Sequence, residues 1–128
     1  MNQNAAIMPA IMDDCQKPIP FDRVLCDVIC SGDGTFRKNP EMWKQWTPLK
    51  GVSLHTLQKN IAKRCLELLA VGGLMCYSTC SLNPIEDEAV VAYLLRTFNG
   101  QIELVDVADQ LPQLIRFPGI SHWKVYHP

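Results

Sequence analysis

Apolar residues in this chain fall into short runs separated by glycine, proline and small polar residues. Residues 21–28 (FDRVLCDV) form one run, rich in Val and Leu, and read as a buried strand. It leads into Ile29, Cys30, Ser31, Gly32, Asp33 and Gly34, a loop whose glycines permit close approach to another group. Over residues 54–70 the apolar positions Leu54, Leu57, Ile61, Cys65, Leu68 and Leu69 recur at helical spacing, and Gly72 with Gly73 reads as the stop of that helix. A second strand is expected at 74–78, followed by the polar turn Ser78, Thr79, Cys80, Ser81. Asn83 reads as a helix N-cap and Pro84 as the first helical residue of a helix over 84–98, with Glu86, Asp87 and Glu88 as acids favoured at its positive end. Gly100 ends that helix, and residues 102–107 (IELVDV) read as a third strand. Residues 1–20, broken by Pro9, Pro18 and Pro20, form an irregular lead-in, and residues 108–128 a loop-rich tail.

The order strand–helix–strand–helix–strand predicts an α/β fold, half of a doubly wound parallel sheet, because each crossover holds a helix. In such a sheet the C-terminal strand ends share one edge, where ligands bind. Asp27 and Cys30 stand at one strand end and Cys80 at the next. Two thiols and a carboxylate suit attack on an electron-poor ring carbon followed by removal of a proton. Spacing alone fits a second reading equally well, in which Cys30 and Cys80 are small buried hydrophobes, the role favoured for Cys15, Cys26, Cys65 and Cys76.

Composition narrows the classes. The chain has 128 residues, enough for one domain, with 48% hydrophobic and 20% charged residues. A net charge of −1 gives no overall basic footprint, so contact with nucleic acid has to be local, and Arg37 with Lys38 beside the glycine loop is the candidate patch. No apolar run approaches the ~20 residues of a membrane span, so no membrane partner is expected. The cysteines form two C-x3-C pairs, Cys26/Cys30 and Cys76/Cys80. Four residues of strand separate such a pair by about 13 Å, too far for a shared zinc ion or disulfide, so no metal is expected. With no secretory signal at the N-terminus, reduced thiols in an intracellular compartment, nuclear, nucleolar or cytoplasmic, are the reading. His55, His122 and His127 show no ligand spacing, and packing of a loop is favoured over base stacking for Trp43 and Trp46.

Residues 27–35 (DVICSGDGT) and 77–91 (YSTCSLNPIEDEAVV) resemble the two signature motifs of the Sun-domain, RsmB-type RNA cytosine-5 methyltransferases. FDRVLCD at 21–27, RKNPEMW at 37–43 and FPGISHWKV at 117–125 further resemble the tRNA-modifying branch of eukaryotes. The resemblance implies a Rossmann-like, S-adenosylmethionine-dependent methyltransferase sheet acting on RNA, a tRNA in this branch. It implies that Cys80 attacks C6 of cytosine, that Cys30 assists release of the enzyme, and that Asp27 contacts the cytosine edge beside the cofactor. Ile29 stands where the family has proline, which leaves the Cys30 loop less rigidly set. The family's glycine-rich cofactor loop and ribose-binding acid have no counterpart here. Asn4 alone matches a position near the cofactor's adenine. The chain therefore reads as the C-terminal part of one catalytic domain, or, in the rival reading, as a non-catalytic fragment with weak RNA binding. Half a parallel sheet would also leave apolar surface uncovered, so self-association is expected.

Overall fold

The computed structural model describes residues 3–124; Val125 of the last family-like segment and His127 lie outside them. In chain order it contains strands β1 (Ile11–Met12), β2 (Pro18–Ile19) and β3 (Phe21–Asp27), helix α1 (Pro48–Glu67), strand β4 (Leu69–Ser78) and helix α2 (Glu88–Phe98). β3 and β4 pair in parallel, with Cys26 opposite Tyr77 and Asp27 opposite Ser78. A parallel pair needs a crossover, and α1 supplies it. The result is an α/β unit with a parallel sheet and two helices, and the loops after β3 and β4 leave from neighbouring points on one edge.

Several boundaries differ from the pattern-based expectation. The lead-in is more ordered than its prolines suggest. Asp13 Oδ1 accepts the N–H groups of Cys15 and Lys17, both at 2.8 Å, and this turn closes an antiparallel pair of β1 with β2. α1 begins at Pro48, six residues before Leu54, the first periodic leucine, because Pro48 suits the first helical position and Gly51 is tolerated within the helix. Gly72 and Gly73 do not stop α1. They lie inside β4, where the register jumps between Phe21↔Leu69 and Arg23↔Leu74, and Gly72 takes the φ of +79° that the irregularity requires. α2 starts at Glu88 instead of Pro84, since Asn83 uses its side chain to accept the Ile85 N–H at 3.1 Å and holds 83–87 as a turn.

The third strand expected at 102–107 is not formed among the described residues. A strand is completed by a neighbour's backbone groups, and here Leu104, Val105 and Val107 stay exposed while Ile102 packs on the core. That core is small: Cys26, Val28, Ala62, Val90 and Leu94 are buried between the sheet and the helices, with Ile61, Met75, Tyr77 and Tyr93 packed around them. The helices cover one side of the sheet. On the other, Leu25 is 74% exposed and Leu74 46% exposed, an apolar face left open to solvent. No helix among the described residues is long and apolar enough to cross a membrane.

Candidate active site

The register that sets Asp27 opposite Ser78 also sets the chemistry. Ser78 Oγ donates to Asp27 Oδ1 at 2.8 Å, and Val28 N–H donates to the Ser78 carbonyl at 3.1 Å, so the two strand ends are tied as they leave the sheet. Three residues later in one loop and two in the other, Cys30 and Cys80 meet with their sulfurs 3.2 Å apart. This is a hydrogen-bonding separation, far beyond the S–S bond of about 2.05 Å. The backbone N–H of Cys80 points at Cys30 Sγ from 3.3 Å. Cys80 is exposed and Cys30 half-buried, and all six cysteines are free thiols. Burial, together with the S–H contact to Cys80, pushes the Cys30 thiol up to about 11, against the opposing pull of the Cys80 and Gly32 N–H groups. Cys30 therefore holds its proton at neutral pH.

The loops touch directly. Gly34 N–H donates to the Cys80 carbonyl at 3.0 Å, and a methyl group on Gly34 would lie 2.8 Å from that oxygen. Leu82 N–H donates to Asp33 Oδ1 at 3.1 Å. Gly34 thus serves close approach of the second loop, while Gly32, at φ +77°, makes the turn after Cys30.

Beneath the thiols lies a residue that pattern reading assigned to a helix start. Glu86 is completely buried. Its Oε1 accepts the Ser31 N–H at 2.7 Å and Gln58 Nε2 at 3.0 Å; its Oε2 accepts Ser31 Oγ at 2.5 Å and Ser81 Oγ at 2.8 Å. Burial pushes the Glu86 carboxyl up, but the donors from Ser31, Ser81 and Gln58 outweigh it and hold the group below its ordinary value, so it is an anion at neutral pH. Asp87 next door goes the other way: burial raises it, against the hydrogen bond it accepts from Thr79 Oγ1 at 2.7 Å. Gln58, also fully buried, donates a second bond to the Ile29 carbonyl at 2.9 Å, while its own Oε1 has no partner among the described residues. Trp46 Nε1 donates to Ser31 Oγ at 2.9 Å, His55 Nδ1 contacts the Ile85 carbonyl at 2.7 Å, and the Tyr77 hydroxyl donates to the Glu86 carbonyl at 2.7 Å. Gly51 brings α1 against this loop, since a methyl there would sit 2.8 Å from Glu86 Oε2.

Of the residues singled out by pattern, Asp27, Cys30 and Cys80 are brought together. Arg37 and Lys38 are exposed beside the first loop, and Trp43 stacks on Phe36 with ring centroids 4.3 Å apart. Asn4 is not brought to the thiols. Its side-chain oxygen accepts the Ala6 N–H at 3.0 Å, in a turn packed on the second half of α1 beside a hollow of about 190 Å³ lined by Ile7, Lys63 and Arg64. Arg64 is six residues past Gln58, roughly 9 Å further along the helix. Among the described residues no group of three or more His, Cys, Asp or Glu side chains could hold a metal ion. Glu86, read as a helix-start acid, and Gln58 were missed by pattern, while Trp46 packs on the first loop. Two signals were present: each motif cysteine is followed by a serine, and Gln58 interrupts the apolar stripe of α1.

The family profile described as 16S rRNA methyltransferase RsmB/F matches residues 3–121 of this chain. The chain belongs to that family. It is 56% identical over 108 residues to the multisite-specific tRNA:(cytosine-C(5))-methyltransferase of Saccharomyces cerevisiae, a match covering 84% of this chain and 16% of that protein. It is 43% identical over 128 residues to the tRNA (cytosine(34)-C(5))-methyltransferase of Drosophila melanogaster, covering 97% of this chain and 17% of that protein. The ribosomal RNA small subunit methyltransferase F of Escherichia coli O1:K1 / APEC is 36% identical over 95 residues, covering 74% of this chain and 20% of that protein. Among solved structures, the crystal structure of PH0851 superposes with a TM-score of 0.58 at 32% identity, covering 59% of this chain and 17% of that one. The chain thus spans about one sixth of the length of its eukaryotic relatives named here. The family's chemistry calls for a methyl donor; of the two residues that the resemblance sets near it, Asp27 stands beside the thiols with Ser78 on one of its carboxylate oxygens, and Asn4 lies beside the second half of α1.

Proposed function

We propose that this chain is the thiol-bearing, C-terminal part of a Rossmann-like catalytic domain that methylates C5 of cytosine in RNA. The carrying observation is the 3.2 Å approach of Cys30 to Cys80 at the end of a parallel strand pair. In this reading Cys80, exposed at the loop tip, adds to C6 of a cytosine turned out of its stack. The Cys80 S–H proton passes to solvent, the S–C6 bond forms, and the C5=C6 electron pair shifts to C5 and, by conjugation, towards N3, while Asp27, steadied by Ser78, meets the polar edge of the base. Cys30 keeps its proton during this step and does not compete as nucleophile. In the later elimination C5 gives its proton to water, that electron pair re-forms the C5=C6 bond and the S–C6 bond breaks, with the Cys80 sulfur leaving as a thiolate that accepts a hydrogen bond from the Cys30 thiol beside it. Arg37 and Lys38 hold the RNA backbone. Identity is higher to the tRNA enzymes than to the ribosomal RNA enzyme, which supports a tRNA substrate. S-adenosylmethionine is the proposed methyl donor, held by parts of the protein outside this chain, in a reducing intracellular compartment.

The test is calorimetry and methyl transfer with the chain alone and with the chain joined in frame to the sequence encoded upstream. S-adenosylmethionine binding and tRNA methylation by the joined protein only are expected. Tight binding by the short chain would contradict the division of the site, and inactivity of the joined protein on every RNA tried would contradict the function.

A further inference from the structure

We infer that Glu86 is the positioning residue that sets the two thiols side by side, a role that rests on reading Cys30 and Cys80 as the reacting pair. The residue after each cysteine, Ser31 in one loop and Ser81 in the other, donates its hydroxyl proton to the same oxygen, Oε2. The other oxygen takes the Ser31 backbone N–H and the amide of Gln58, which in turn holds the carbonyl of Ile29, the residue before Cys30. Cys30 is therefore bracketed on both sides by groups whose positions pass through one carboxylate. That bracket supplies the stiffness that a proline at position 29 would have given.

The site is built for an anion and not for a neutral side chain of the same shape. Ser31 Oγ already accepts from Trp46 Nε1 at 2.9 Å, and Ser81 Oγ already accepts from the Asn83 N–H at 3.0 Å. Each hydroxyl thus has its proton free for Glu86, and all four groups facing the carboxylate are donors. A glutamine amide fits the volume but must turn its NH2 towards two of them, which leaves buried donors facing a donor. Glu86 has no cation beside it among the described residues; hydrogen bonds from both loops and from α1 carry its charge.

The test reads thiol alignment without RNA or methyl donor. Phenylarsine oxide bonds two neighbouring thiols at once, its oxygen leaving as water with the two thiol protons. Cys26 and Cys65 form a second hydrogen-bonded thiol pair, so every variant carries Cys65→Ala; in that background the 128-residue chain should bind it tightly one to one, and Cys30→Ala should remove that site. Glu86→Gln is expected to weaken binding at least tenfold, with Ser81→Ala and Ser31→Ala each weakening it about fivefold, a net hydrogen bond being of order 1 kcal/mol. Wild-type affinity in a folded Glu86→Gln chain would overturn the inference. So would a Glu86→Gln chain that fails to fold while both serine variants bind as wild type, since Glu86 would then serve folding alone. In the joined protein Glu86→Gln should lower kcat at least tenfold with KM for tRNA changed less than twofold; a rise in KM at constant kcat would overturn the role. If the wild-type joined protein methylates nothing, the proposed function fails, while the arsenical result still decides whether Glu86 aligns the thiols.

Discussion

The loops that follow β3 and β4 and the tail that follows α2 are both irregular backbone, yet they are held in opposite ways. In the loops, irregular backbone is compensated by a buried polar interior: Glu86 and Gln58 are fully buried, and Ser31 and Ser81 turn inward to them. In the tail, Ile115 and Phe117 are each 92% exposed, Arg116 bonds carbonyls of its own segment, and the tie to α2 is the exposed bond from the Ile120 N–H to Glu88 Oε1 at 3.0 Å. Richness in apolar residues therefore does not decide which irregular segment is fixed. A buried charge with four donors fixes the loops, because any displacement strands groups away from water.

Gly34→Val should break the comparison most strongly. The added branches meet the Cys80 carbonyl, which backbone cannot avoid, so a loss of about 2–3 kcal/mol in urea unfolding is expected together with separated thiols. The open sheet face, with Leu25, Leu74 and Val71 exposed, should make the chain alone self-associate in sedimentation at micromolar concentration; a monodisperse monomer would contradict this. Alkylation tracks the thiolate, and Cys30 is held up to about 11. Its iodoacetamide rate at pH 8 should therefore fall well below that of exposed Cys15 and climb as pH approaches 11. Phe117→Ser, in the loosely held tail, should change stability by no more than about 0.5 kcal/mol.

The elements with strong periodicity were legible. The runs at 21–28 and 54–70 gave β3 and most of α1, and the resemblance of the two motifs pointed to Asp27, Cys30 and Cys80 at one edge. The failures have a common cause, which is that the deciding partner is remote in sequence. Residues 102–107 have strand composition but no neighbouring strand to pair with among the described residues. Gly72 and Gly73 follow an apolar helical stripe and so read as a stop, although β4 had already begun at Leu69. Glu86 sits among three consecutive acids at a helix start, where nothing local separates it from Asp87 and Glu88. What distinguishes it is contact with Ser31, 55 residues away.

The most direct test of the account is covalent capture of tRNA by the joined protein in the presence of S-adenosylmethionine, with wild type, Cys30→Ala and Cys80→Ala compared on denaturing gels. The account predicts a stable protein–RNA adduct for Cys30→Ala, in which addition survives and release fails. It predicts no adduct for Cys80→Ala and only turnover for wild type. An adduct formed by Cys80→Ala, or loss of methylation in Cys30→Ala without any adduct, would contradict the division of roles between the two sulfurs.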